Sequence, residues 1–222
     1  MQGKTALIII DVQNDYCCGG SMEVKDSESI FPIINYLRKT IPFNFVYLAA
    51  DWHPSDHISF ASNHIGKKPF ETVTLSNGKV QELWPDHCIQ NQAGSYFHKN
   101  LVTTPRDIII RKGIITNVDS SSSFGSPPEN TGLERDLKDR GVEKIFLVGI
   151  SLDLGMKATA LDGVAKGFFC LFISNNLIIR FKTYLVVDGT ATIEKDKLRE
   201  YVDFLIYKGV EVISSKDVKS LA

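Results

Sequence analysis

The sequence predicts an α/β protein: a three-layer architecture in which a mostly parallel sheet carries helices on both faces. Two observations predict it. Short β-branched runs alternate along the chain with stretches whose apolar residues recur at helical spacing, and several of those runs are apolar without a break, as strands buried on both faces are. At 222 residues and 43% hydrophobic content the chain can enclose one sizeable core. No Pro/Gly/Ser-rich linker divides it, so residues 1–222 are read as a single domain.

Thr5 to Val12, T-A-L-I-I-I-D-V, is the first strand. A helix follows, with Ser27 as its cap and Ile30, Ile33, Ile34 and Leu37 on one face. Phe45 to Ala50 is the second strand and runs into Asp51. Residues 52–101 are rich in His, Trp and Pro and are read as long and irregular, too much loop for a mere connection. Asp107 to Arg111 is a third strand, Leu133 to Arg140 a helix capped by Thr131 and closed by Gly141, and Lys144 to Ile150 a fourth strand. Asp153 to Lys166, closed by Gly167, is the next helix. Leu198, Tyr201, Val202 and Leu205 mark the last one, before a short strand from Glu211 to Ile213.

Composition narrows the function classes. A formal net charge of -1 leaves no electrostatic footprint for nucleic acid or an anionic membrane. The apolar stretch from Phe168 to Val187 is interrupted by Asn175, Asn176, Arg180 and Lys182 and is no membrane span, and the N-terminal run meets Asp11 too soon for a signal peptide. Of four cysteines, Cys17 and Cys18 are adjacent, which suits a reduced cytoplasm better than a disulfide framework.

In a parallel sheet, ligands bind beyond the C-terminal ends of the strands. That rule gathers four clusters on one rim: Asp11, then Asp51 with His53 and His57, then Lys112, and last the turn from Gly149 to Gly155. Taken singly, Asp11 is equally a turn residue and Lys112 a solvated lysine; their coincidence on one rim points to chemistry. In D-W-H, side chains two apart in extended chain face the same way, so Asp51 and His53 can grip one ion. L-W-P-D-H-C supplies His87 as a third ligand, leaving positions open for water and substrate. His57 is either a fourth ligand or a support for one of the three. The ion would be divalent, zinc first, with manganese or iron as alternatives that the same ligands suit. The other reading is that these are loop histidines bonded to backbone.

The segments A-L-I-I-I-D-V-Q-N-D-Y-C-C-G-G-S-M, D-W-H-P-S-D-H-I-S-F-A, L-W-P-D-H-C-I-Q, I-I-I-R-K-G and M-K-A-T-A-L-D-G occur in order between Thr5 and Gly167. In that order the sequence resembles the nicotinamidases of the isochorismatase-like hydrolase superfamily. The resemblance implies a cytoplasmic enzyme of NAD salvage that hydrolyses nicotinamide to nicotinate and ammonia, with a small molecule as its partner and a homo-oligomer as a compatible state. It implies that a cysteine thiolate attacks, that Asp11 relays the proton and that Lys112 stabilises the pair. The metal on Asp51, His53 and His87 would hold the pyridine nitrogen, and Tyr16 and Trp84 would pack on the ring. Amides around Ile150 and Ser151, with a cis peptide between them, would receive the oxyanion.

The chain departs from this pattern at the nucleophile. Gly155 stands where the resemblance expects the cysteine, and Leu152-Asp153-Leu154-Gly155 replaces Thr-Asp-Tyr-Cys. Ser151 lacks the second glycine of a nucleophile elbow and the ordered acid and histidine of a triad. Neither Cys17, Cys88 nor Cys170 obviously substitutes. The alternatives are a non-catalytic nicotinamide- or metal-binding protein, and acid catalysis by Asp11 of the isochorismatase kind, which needs no nucleophile. Downstream, F-C-L-F-I-S-N-N-L-I-I-R at roughly 169–180 separates A-K-G-F from K-T-Y-L-V-V-D-G. It is read as a retained intron or as a hairpin around Asn175 and Asn176.

Overall fold

The computed structural model describes residues 3–168 and 182–222. Its centre is a six-stranded sheet of β1 (Lys4–Ile10), β2 (Phe45–Asp51), β5 (Ile108–Lys112), β6 (Val142–Gly149), β7 (Lys182–Thr190) and β8 (Glu211–Ile213), in the order β5-β2-β1-β6-β7-β8. Every pairing is parallel. The continuous apolar runs are at its middle, as burial on two faces requires. Leu7 and Ile9 face one layer with Ile34, Leu37 and Val218, from α1 (Phe31–Thr40) and α5 (Val218–Leu221). Ala6, Ile8 and Ile10 face the other with Leu133, Leu137, Met156, Ala160 and Leu205, from α2 (Leu133–Asp139), α3 (Gly155–Phe168) and α4 (Leu198–Tyr207). The predicted three layers are therefore observed. Among the described residues no helix is long and apolar enough to cross a membrane.

Several expected boundaries move, each for a local reason. The first strand stops at Ile10, because Asp11 turns out of the sheet at φ 53°. Ser27 opens a 3-10 turn, Ser27–Ile30, and caps no α-helix; α1 begins at Phe31 with Pro32 in its first turn. Thr131 does accept a hydrogen bond from the Leu133 amide, from one position outside Gly132, and Gly141 leaves α2 at φ 67°. The helix expected from Asp153 begins at Gly155, since the Asp153 carboxylate accepts from the Ile193 and Glu194 amides across the chain. The region 52–101, read as irregular, contains an antiparallel hairpin of β3 (Thr72–Thr74) and β4 (Val80–Glu82). The K-T-Y-L-V-V-D-G run forms β7, whereas the stretch at roughly 169–180 read as intron or hairpin, with Cys170 in it, lies outside the described residues.

At the exit of β6 the chain passes close beneath β1. Gly149 has φ 132°, and a Cβ there would lie 2.0 Å from the Ile10 carbonyl oxygen. Only glycine permits this approach, and it brings the turn after β6 beside Asp11. We predict that Gly149→Ala destabilises the fold by at least about 2 kcal/mol, read as a lowered midpoint in thermal or urea unfolding.

Candidate active site and metal centre

Three strands end at one point. Asp51 and Lys112 are register partners on β2 and β5, and Asp11 follows the last residue of β1. The Lys112 ammonium lies 2.9 Å from Asp11 Oδ2 and 2.6 Å from Asp51 Oδ1, and its side chain is only 1% exposed. The strands of Asp11 and Lys112 are not neighbours; β2 lies between them, and the long lysine side chain reaches across it. Two features hold Asp51 in place. The Gln13 amide donates to the Asp51 carbonyl and accepts from its amide, both at 2.8 Å, and the Tyr16 hydroxyl donates to Asp51 Oδ2 at 2.5 Å.

One ammonium shared by two buried carboxylates drives their proton affinities apart. Burial and the neighbouring Asp51 charge push the Asp11 carboxyl up to about 8, against the pull of Lys112. Burial also disfavours the Asp51 carboxylate, but Lys112 and the two imidazoles outweigh it and hold that group well below the usual range. Burial would discharge Lys112, yet Asp11 and Asp51 together raise its affinity for its proton.

Asp51, His53 and His87 bring one donor atom each within 4.8 Å of one another, all three residues buried. The imidazoles are oriented alike. His53 Nδ1 lies 2.9 Å from the Gly113 carbonyl and His87 Nδ1 2.7 Å from the Pro85 carbonyl. A carbonyl can only accept, so Nδ1 carries the proton in each ring and Nε2 presents its lone pair. Burial lowers the His53 pKa to about 3 and lowers that of His87, so both rings are neutral. Neutral rings held in one tautomer by backbone carbonyls, beside a carboxylate, are a donor set that suits a divalent ion. His57 stands outside it: its Nδ1 meets Ser59 Oγ at 2.7 Å and its Nε2 the Val118 carbonyl at 3.1 Å, while its ring packs 4.3 Å from that of His53. Of the two sequence readings of His57, the geometry matches the support for a ligand.

Asp11, Asp51, His53, His87 and Lys112 line a cavity of about 330 Å³, together with Tyr16, Trp84, Ser151 and Gly155. Trp84 is half-buried and set edge-on against Phe70. The Ile150–Ser151 peptide is cis, and the amides of Ser151 and Gly155 have no hydrogen-bond partner among the described residues, so both are available to an oxyanion. Gly155 is the first residue of α3; a Cβ on it would lie 2.8 Å from Asp11 Oδ2 and 3.7 Å from Lys112 Nζ. No described cysteine lines the cavity. Cys88 is buried near it, and burial with the Asp51 and Asp11 charges raises its thiol well above the ordinary range, which keeps it inert.

Sequence reasoning missed several residues that build this site. Gln13 and Asp15 lie within the D-V-Q-N-D segment, which was their only signal; Asp15 Oδ2 accepts from the Cys88 amide at 2.7 Å, beside His87. Glu129 gave none. Its carboxylate accepts from the Gly113 and Ile114 amides at 2.9 and 2.8 Å, fixing the turn whose carbonyl orients His53. Gln81 on β4 bonds Asp119 and ties the hairpin to the far wall of the cavity.

Comparison with known proteins adds a family. Residues 5–217 match the isochorismatase domain. A nicotinamidase of Acinetobacter baylyi is 36% identical over 216 residues, covering 96% of this chain and 94% of that protein. A solved nicotinamidase/pyrazinamidase of Acinetobacter baumanii superimposes with a TM-score of 0.83 at 38% identity, covering 98% and 99% of the two chains. A pyrazinamidase of Pyrococcus horikoshii in complex with zinc superimposes with a TM-score of 0.74 at 25% identity, covering 95% and 99%.

The hydrogen bonds of Glu129 generate a prediction. Glu129→Ala releases the Gly113 turn, and affinity for zinc, measured by competition with a chromogenic chelator, falls about 10- to 100-fold while the fold persists. An unchanged affinity would mean that the turn holds His53 without Glu129.

Proposed function

From the premise that this chain belongs to the isochorismatase family of hydrolases, we propose that its cavity takes nicotinamide for hydrolysis to nicotinate and ammonia, with a metal on Asp51, His53 and His87. The observation that carries this reading is the adjacency of two devices: a proton-relay pair, Asp11 and Lys112, and three convergent metal donors sharing Lys112 through Asp51. Hydrolysis of the isochorismatase kind would account for the first device alone. The baylyi relative carries the name nicotinamidase, and the horikoshii neighbour holds zinc.

The donor chemistry fits a divalent ion in a second way. Two buried carboxylates face one ammonium, and burial together with the Asp51 charge raises Asp11; a cation beside Asp51 would offset the part that comes from charge. When bound, a zinc, manganese or iron ion supplies a Lewis acid and an anchor for a pyridine nitrogen. The protein's own groups do the rest. Tyr16 and Trp84 wall the ring, Lys112 steadies the Asp11 carboxylate, Asp11 moves the proton to the leaving nitrogen, and the Ser151 and Gly155 amides receive the oxyanion. The free thiols Cys17, Cys18 and Cys88 suit a reduced cytoplasm.

Covalent catalysis is missing one part. A cysteine at 155 would place its thiol beside Asp11 Oδ2, with the end of that carboxylate needing to shift and the Ser121 carbonyl, 3.3 Å from the Cβ, to give slightly. We predict that Gly155→Cys raises nicotinamide hydrolysis on the order of 10³-fold, measured as ammonia release, without a comparable change in nicotinamide affinity. A chain that already runs at the speed of its cysteine variant would overturn the assignment of Gly155 to the nucleophile position. A chain that does not bind nicotinamide would overturn the substrate.

A further inference from the structure

Four consecutive serines, Ser120 to Ser123, divide into two pairs. Ser122 and Ser123 do structural work. Ser122 Oγ accepts from the Phe124 amide at 3.2 Å, and the Ser123 amide donates to Thr159 Oγ1 at 2.9 Å. Thr159 in turn donates to the Gly155 carbonyl at 2.7 Å, which ties the run to the first turn of α3. On the other side, Asp119 Oδ2 accepts from Gln81 of β4 at 2.5 Å. Between these anchors Ser120 and Ser121 line the cavity. Ser120 is as buried as Ser122 and Ser123, at 1% exposure, yet its hydroxyl has no hydrogen-bond partner among the described residues. Neither has the Ser121 carbonyl. That oxygen and Asp11 Oδ2 border one point, lying 3.3 and 2.8 Å from where a Cβ on Gly155 would project. A buried hydroxyl without a partner is less stable there than a methyl group would be, so one in a cavity wall marks a group that a ligand satisfies.

We propose that Ser120 is a specificity residue: its hydroxyl, together with the Ser121 carbonyl, binds the nitrogen of a primary carboxamide. The inference rests on the carboxamide reading of the cavity and deepens it. The oxygen of that group accepts from the Ser151 and Gly155 amides. Its nitrogen carries two hydrogens and can only donate, so it needs two acceptors of its own. It must also lie beside Asp11, which passes it a proton, and the Ser121 carbonyl is the neighbouring acceptor there. The Ser120 hydroxyl, one residue earlier on the same anchored segment, takes the second hydrogen. A ligand of the same shape without N–H groups leaves both acceptors unpaired, and a site built around paired polar groups rejects such an analogue. The cavity is thereby set for primary carboxamides.

The test compares the full chain with its Ser120→Ala variant at matched metal content. Two ligands are titrated by calorimetry: nicotinamide, and 3-acetylpyridine, in which a methyl group replaces the carboxamide nitrogen. Should nicotinamide be turned over, kcat/KM takes the place of its affinity. Ser120→Ala is expected to weaken nicotinamide about 10-fold and 3-acetylpyridine by no more than about twofold, a change of selectivity that a general loss of structure would not produce. Without ligand, the thermal unfolding midpoint of the variant should equal or exceed that of the native chain, because no hydrogen bond is lost. The proposal is overturned if the variant binds nicotinamide as tightly as the native chain, or if both ligands weaken alike. It is also overturned if the ligand-free variant is less stable, which would give the hydroxyl a structural partner instead. If the native chain does not bind nicotinamide at all, the carboxamide reading itself fails and the role of Ser120 falls with it.

Discussion

The site depends on a single buried cation. Lys112 is sealed between two carboxylates carried by different strands, and none of the three could remain charged in this position without the others. Register makes the contact obligatory. Asp51 and Lys112 are paired across β2 and β5, while Asp11 leaves β1 in a left-handed conformation that turns its carboxylate back toward them. The cost of desolvating these groups is met by hydrogen bonds that leave Asp51 little freedom: Gln13 on its backbone and Tyr16 on its second oxygen. The core beneath supplies rigidity, because β1 and the C-terminal half of β2 are packed on both faces and β5 buries Ile110 against them.

From that contact the division of labour follows. The carboxylate nearer the imidazoles, Asp51, stays ionised and available as a donor, while Asp11, with less compensation, has the higher proton affinity that an acid–base group needs. The same ammonium links both halves, so a change at the metal donors is felt at the proton relay. Glycine works twice near this contact, for opposite reasons. At Gly149 the backbone geometry excludes every other residue, whereas at Gly155 the geometry is ordinary and only the space is special.

Much of this was legible in the sequence. The β-branched runs located the central strands because burial on both faces removes polar alternation, and the strand-end rule then collected Asp11, Asp51, His53 and Lys112 on one rim. The extended D-W-H segment correctly implied that Asp51 and His53 face the same way. What escaped was set by contacts distant in the chain. Asp153 reads as the first residue of a helix until its carboxylate is seen to hold the 193–194 amides, and Ser27 looks like a cap until Asp26 turns left-handed before it. Glu129 carries no local signal, since its role is to satisfy two amides of a turn 15 and 16 residues upstream. The reach of Lys112 across an intervening strand needed the strand order, which no local pattern contains.

The most direct measurement is the coupling between Lys112 and Asp11. Urea unfolding at pH 9, above the Asp11 pKa of about 8, of Lys112→Met, Asp11→Asn and the double variant gives a thermodynamic cycle. The account predicts that Lys112→Met alone costs about 3–5 kcal/mol, because it strands two buried carboxylates, and that removing the Asp11 charge recovers enough of it to leave a coupling of about 2 kcal/mol or more. Additive effects, within about 0.5 kcal/mol, would contradict the claim that this buried cation organises the site.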